Sequence, residues 1–194
     1  HVVCRGGKLK SVTLHDYKEL KGFDCSNNEE LALLDLAGCD KLGFISFANT
    51  RVGSFDFSEF PELTIIDCCN SAIADMDVSG NANLSILYCR ELGLATLDIS
   101  NNKLLTGLDC SDNELEVLDV SGHQLFRYLY INDNQFGKEM LETILAALPK
   151  FDATTSRSVP PAPQPSVIKI FGNPGAVGCN TKIITDKGWV VKSE

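Results

Sequence analysis

Apolar residues recur along this chain in triplets, spaced three and then two residues apart. One series reads Leu20-Phe23-Cys25, Leu42-Ile45-Phe47, Leu63-Ile66-Cys68, Leu84-Leu87-Cys89, Leu105-Leu108-Cys110 and Phe126-Leu129-Ile131. A second reads Leu9-Val12-Leu14, Leu31-Leu34-Leu36, Val52-Phe55-Phe57, Ile73-Met76-Val78, Leu94-Leu97-Ile99 and Leu115-Leu118-Val120. Within each series the step is 21 residues, or 22 at the first step. A fixed period of this length is the signature of a solenoid, in which each unit buries its apolar face only by stacking on the next. The last two residues of a triplet lie two apart, so they point to one side of an extended segment. Each coil is therefore expected to carry two short strands facing each other across a core, with rungs about 4.8 Å apart.

The period ends near Phe136. Met140, Leu141, Ile144, Leu145 and Leu148 then follow helical spacing, with Pro149 beyond. The division expected is a partial N-terminal cap or cut edge over 1–8, a solenoid over 9–136, and a C-terminal cap over 137–194. Within the cap the pattern predicts a helix over 137–148, a proline-rich loop over 149–166, and a strand-helix-strand unit over 167–192.

The stretch from Leu105 to Leu115 reads L-x-x-L-x-C-x-x-N-x-L. It resembles the leucine-rich-repeat consensus, and the doubled phrase "LDCSDNELEVLDVSG" resembles internalin-like bacterial surface proteins. The resemblance covers about residues 9–136 and implies a mainly β repeat solenoid: a right-handed leucine-rich-repeat rod of about six 21-residue coils with a C-terminal α/β cap. The consensus asparagine stands at Asn28, Asn113 and Asn134, but Thr50, Ser71 and Leu92 replace it between them. Ties between the middle coils should be weaker.

The family resemblance also implies that the first series lines a concave side, where ligands bind. Its outward columns are then Gly22, Phe44, Ile65, Ile86, Gly107, Tyr128; Asp24, Ser46, Asp67, Tyr88, Asp109, Tyr130; and Ser26, Ala48, Cys69, Arg90, Ser111, Asn132. Phe44, Ile65 and Ile86 form an apolar run, and Tyr88, Arg90, Tyr128 and Tyr130 cluster toward the last coils. Tyrosine and arginine are enriched at binding hot spots. With Asp67 and Asp109 beside them, these residues are the candidate ligand-binding set. Arg90 fits a protein partner; tyrosine with aspartate also suits a glycan.

Charge and cysteines change this picture little. A net charge of −9 argues against nucleic acid, whose phosphates need a basic face. No apolar run approaches a membrane span. Cys25, Cys68, Cys89 and Cys110 fall at inward positions and read as small core residues rather than a disulfide or metal ladder. Cys69 points outward as a potential reactive thiol, while Cys4 and Cys179 belong to opposite ends. Asp35, Asp56, Asp77, Asp98 and Asp119 form an outward column beside Ser58, Ser79, Ser100 and Ser121, read as a structural ladder and not a calcium site. "GNPGAVG" lacks the Lys-Ser/Thr of a phosphate loop and reads as a turn.

His15 and His123 lie about five rungs apart, and no catalytic motif is present, so no enzyme and no cofactor are expected. The resemblance implies a secreted or cell-surface bacterial protein, with or without a lipid anchor. The expected function is protein binding. A glycan-binding protein, or a structural or targeting arm of a larger protein, is the alternative. The start at His1 fits a processed or partial chain.

Overall fold

The computed structural model describes residues 1–151 and 165–192. The proline-rich loop expected over 149–166 falls mostly outside them. Its strands are β1 (Val2–Val3), β2 (Ser11–Thr13), β3 (Gly22–Asp24), β4 (Leu33–Asp35), β5 (Phe44–Ser46), β6 (Ile65–Asp67), β7 (Ile86–Tyr88), β8 (Gly107–Asp109) and β9 (Tyr128–Tyr130). Then come α1 (Lys138–Ala147), β10 (Val167–Lys169), α2 (Lys182–Thr185) and β11 (Val190–Lys192).

The first apolar series builds one parallel sheet in the order β1-β3-β5-β6-β7-β8-β9-β10-β11. The register is strict, with Ile66 beside Leu87, Leu87 beside Leu108, and Leu108 beside Leu129. Nine strands make about eight turns, more than the six read from the triplets. The excess comes from both ends. Val2 and Val3 pair with Phe23 and Asp24, so residues before Leu9 already form a rung. After the helix, β10 docks on β9 and β11 on β10.

The second series departs from expectation. Only β2 and β4 pair as strands. Later coils share at most one backbone bond per step on this side, such as Ala72 N–H to Val52 O at 3.0 Å and Glu114 N–H to Leu94 O at 2.9 Å. Their aspartates take amides of their own coil instead. Ser58, Ser79, Ser100 and Ser121 donate N–H to Asp56, Asp77, Asp98 and Asp119 at 2.7–2.9 Å. The aspartate column is thus a run of side-chain-closed turns. The long sheet is the tightly laddered side, and the second side is more open.

Those hydrogen bonds set a pH response. Hydrogen bonds from Ser79, Ser100 and Ser121 hold the Asp77, Asp98 and Asp119 carboxyls below the usual carboxylate range. A depressed folded value means stability that is full above the unfolded value, about 3.9, and is lost as pH falls through the folded one. The urea midpoint should hold steady from neutrality down to about pH 5 and decline below about pH 4. A midpoint unchanged at pH 3 would remove this role.

Between the two sides lies one continuous core. Leu87, Leu108 and Leu129 are fully buried, as are Cys25, Cys68, Cys89 and Cys110. All eight cysteines are free thiols. Cys68 and Cys89 point S–H toward the next coil's Tyr88 and Asp109 carbonyls, each at 3.5 Å. Burial pushes the Cys25 thiol up to about 12 and raises Cys68, Cys89 and Cys110 well above normal. They behave as small core residues.

Asparagines tie the coils together. Asn113 Nδ2 donates to Cys89 O and Cys110 O at 2.9 and 3.0 Å, while Oδ1 accepts Leu92 and Leu94 N–H at 3.1 and 2.9 Å. Asn28 and Asn134 repeat this pattern, and so does Asn173, beyond the helix. Thr50 and Ser71 bond only within their own coils, which leaves the middle of the ladder untied. A second buried row, Asn81, Asn102 and His123, bonds the preceding coil's carbonyls on the other side.

At the far end α1 buries Leu141, Ile144 and Leu145 against the same core. Lys187 donates to the Leu148 carbonyl at 2.7 Å and also caps Ala146 O, which suits a cation at a helix C-terminus. The Trp189 indole donates to Pro149 O at 2.8 Å.

Candidate interaction face

The nine candidate residues lie on the outward face of the long sheet, where strand alternation puts them. Phe44, Ile65 and Ile86 occupy one register column on β5, β6 and β7. They are half-buried rather than free, because neighbouring rungs cover one another. Asp67 accepts Ser46 Oγ–H at 3.1 Å, and Asp109 accepts Ser111 Oγ–H at 2.6 Å. Both aspartates therefore support the sheet as well as facing outward. Arg90 is exposed and pairs with Glu91 at 3.2 Å.

The tyrosines come together more closely than their columns indicate. The Tyr88 and Tyr128 rings stack at 6.3 Å with an 18° tilt, although β8 lies between their strands. Gly107 makes this contact possible. A Cβ at that position would fall inside the Tyr128 ring. The ring therefore lies flat across β8, and its hydroxyl donates to the Tyr88 hydroxyl at 3.0 Å. Tyr130 extends the shelf, 5.5 Å from Tyr128.

Gly107→Ala should evict the Tyr128 ring and break the hydroxyl pair. The expected readout is a changed near-ultraviolet circular dichroism signal with an unchanged far-ultraviolet one. Identical near-ultraviolet spectra would show that the glycine has no such role.

The triplet pattern missed Lys169 and Phe171. Strand β10 continues the face, placing Lys169 beside Tyr130 in register, with Nζ 4.7 Å from the Tyr130 ring centre and 5.9 Å from that of Phe171. The 21-residue step fails here because α1 intervenes. Yet Ile168-Ile170-Asn173 keeps the internal spacing of Leu108-Cys110-Asn113, which was the available signal.

One turn position per coil adopts positive φ, at Asn27, Asn49, Asn70, Glu91, Asp112 and Asp133. Asparagine and aspartate tolerate this conformation best among side-chain-bearing residues. Asn49 and Asn70 each donate to the preceding asparagine, at 2.8 and 2.9 Å. From Glu91 onward the column turns acidic, forming a ridge at the tyrosine end. Asp112 is raised from its ordinary value, first by partial burial and then by Asp133, with Arg90 opposing and Glu91 adding a smaller push.

Other chemistry is sparse. The Cys69 thiol is pushed up to about 12, chiefly by burial, which disfavours it as a nucleophile. His123 is buried and donates from Nε2 to Ile99 O at 3.1 Å, whereas His15 is exposed and bonds Asp35 at 2.7 Å. Among the described residues no three acidic, histidine or cysteine side chains converge on a metal position, and no helix is long and apolar enough to cross a membrane. A depression of about 970 Å³ lies on the open side, among Asp77, Asp98, Asp119, Glu116, Leu97 and Val117.

No family model and no curated protein matches the chain. Solved structures do. The functional domain of InlJ from Listeria monocytogenes, which includes a cysteine ladder, is 23% identical with a TM-score of 0.63, over 91% of this chain and 47% of that one. An internalin, InlF, of the same species is 15% identical with a TM-score of 0.56, over 95% and 60%. A leucine-rich-repeat protein of Leptospira interrogans is 15% identical with a TM-score of 0.59, over 90% and 49%. The chain thus spans about half the length of these structures. The period, the single long parallel sheet, the asparagine ties and these neighbours together give this chain the fold of an internalin-like leucine-rich-repeat solenoid.

Proposed function

We propose that this chain is a non-enzymatic protein-interaction module of a secreted or cell-surface bacterial protein, binding through the outward face of its long sheet. The observation that carries the reading is the tyrosine shelf. Tyr88 and Tyr128 are held by the Gly107 hollow and a hydroxyl pair, and Tyr130 packs against Tyr128, before any partner arrives. Pre-ordered aromatic side chains lose little freedom on binding and supply large contact area. Phe44, Ile65 and Ile86 extend the same face with apolar surface. The likeness to internalins supports reading the protein as exported, released or held by a lipid anchor.

A glycan is the second reading. It is favoured by the near-parallel Tyr88 and Tyr128 rings beside Asp109, which offer aromatic surface for stacking a sugar and a carboxylate for its hydroxyls. A protein array and a glycan array, each probed with the wild type and with Tyr88→Ala/Tyr130→Ala, separate the two. Protein binders weakened about tenfold or more in the variant are expected. A signal confined to glycans would transfer the face to sugar binding. Protein binders indifferent to the variant would remove the face from the function.

A further inference from the structure

We propose that Tyr88 and Tyr128 form a paired oxidation site, which hydrogen peroxide acting through a peroxidase joins by a carbon–carbon bond into a dityrosine staple. This chemistry is independent of what the face binds.

A phenol that loses one electron and its hydroxyl proton spreads the unpaired electron over the oxygen and the ring carbons ortho and para to it. In tyrosine the para carbon already bears the side chain, so coupling runs through the ortho carbons beside the hydroxyl. Two tyrosines therefore couple best where their hydroxyl ends converge. The chain has four tyrosines. Among the described residues only Tyr88 and Tyr128 meet hydroxyl to hydroxyl, at 3.0 Å, with ring planes 18° apart. The Gly107 hollow holds the Tyr128 ring in that position, and both rings are half-buried, so each keeps an open edge toward an oxidant. Tyr130 lies 5.5 Å from Tyr128 between ring centres, but it is tilted by 45° and makes no hydroxyl contact, and Lys169 lies over its face. Tyr17 is 56% exposed and belongs to the first coil, far along the chain from the other three.

The step balances. Each phenol gives up one electron and one proton, and hydrogen peroxide takes both pairs and leaves as two waters. The two ortho carbons bond, each ring then sheds its ortho proton to solvent, and both hydroxyls regain theirs. Holding the two rings together turns a bimolecular encounter into an intramolecular one. Tyr88 is on β7 and Tyr128 on β9, with β8 fixed between them, so the new bond ties three successive coils. It closes a loop between positions 40 residues apart and, like a disulfide, restricts the unfolded chain.

The test exposes the full chain, at high dilution, to hydrogen peroxide and a haem peroxidase. Dityrosine fluorescence and the masses of linked peptides after digestion are then read. The expected product joins the peptides that hold Tyr88 and Tyr128 and is lighter than their sum by two hydrogens. Tyr88→Phe keeps the ring and should abolish this product, while Tyr17→Phe should leave it unchanged. Gly107→Ala, and the wild type oxidised in urea, should each lower its yield about tenfold or more, because both part the hydroxyls. The linked chain should unfold at a higher urea concentration than the untreated one. A product dominated by Tyr128–Tyr130 or by Tyr17 links between copies overturns the inference. So does a Tyr88–Tyr128 yield indifferent to Gly107→Ala and to unfolding, a linked chain no harder to unfold, or no coupling at all.

Discussion

Replacing Asn113 with alanine is expected to lower the unfolding free energy by about 3–5 kcal/mol. The side chain serves two coils at once. It donates to Cys89 O and Cys110 O and accepts the amides of Leu92 and Leu94. Alanine leaves these backbone groups without partners at a site only 6% exposed. Each buried orphan costs about 1–3 kcal/mol, and those that can reach water cost least. The urea midpoint with an unchanged slope measures the loss. The consequence should be local as well as global, because Leu92 leaves the next position of the ladder without an asparagine. Asn134→Ala should cost a comparable amount, since Asn134 makes the same two-coil contacts. A loss below about 1 kcal/mol in both would mean that packing alone holds the stack.

Leu108→Ala is expected to cost about 2–5 kcal/mol through lost burial plus the cavity left behind. Leu108 is fully buried between Leu87 and Leu129 on the adjoining rungs. Neither neighbour can collapse into the gap without breaking the register of β8. Stability in a solenoid is carried by nearest-neighbour interfaces, so the damage should concentrate beside the vacated rung. Limited proteolysis should then cut the variant near residues 108–115 before it cuts the distant coil at residues 42–50. Uniform cleavage would argue for a single cooperative unit in place of a chain of coupled coils.

The stack was legible in the sequence because periodicity and burial are the same physical fact here. A residue repeating every 21 positions at the interior of one coil is interior in every coil. Leu87, Leu108 and Cys110 could be placed inside with no coordinates. The second series misled in part. Its i, i+2 spacing reads as strand, but the intervening aspartate closes a turn within its own coil, and only β2 and β4 pair. The last rungs were hidden by an intervening helix that breaks the count, so Lys169 went unseen as a neighbour of Tyr130. The register columns of the long sheet follow the triplets, but the way the outward side chains organise was not visible. That organisation depends on a missing side chain: Gly107 leaves the hollow across which Tyr128 reaches Tyr88. A glycine in an outward column reads as an empty position, and only geometry shows what fills it.

The most direct measurement of where this protein binds is amide hydrogen exchange of the full chain, with and without a protein taken from the array. Binding at the tyrosine shelf predicts added protection at 86–91, 107–112 and 128–133, with 75–79, 96–100 and 116–121 unchanged. Protection confined to the second group would place the partner on the open, aspartate-lined side and contradict the account.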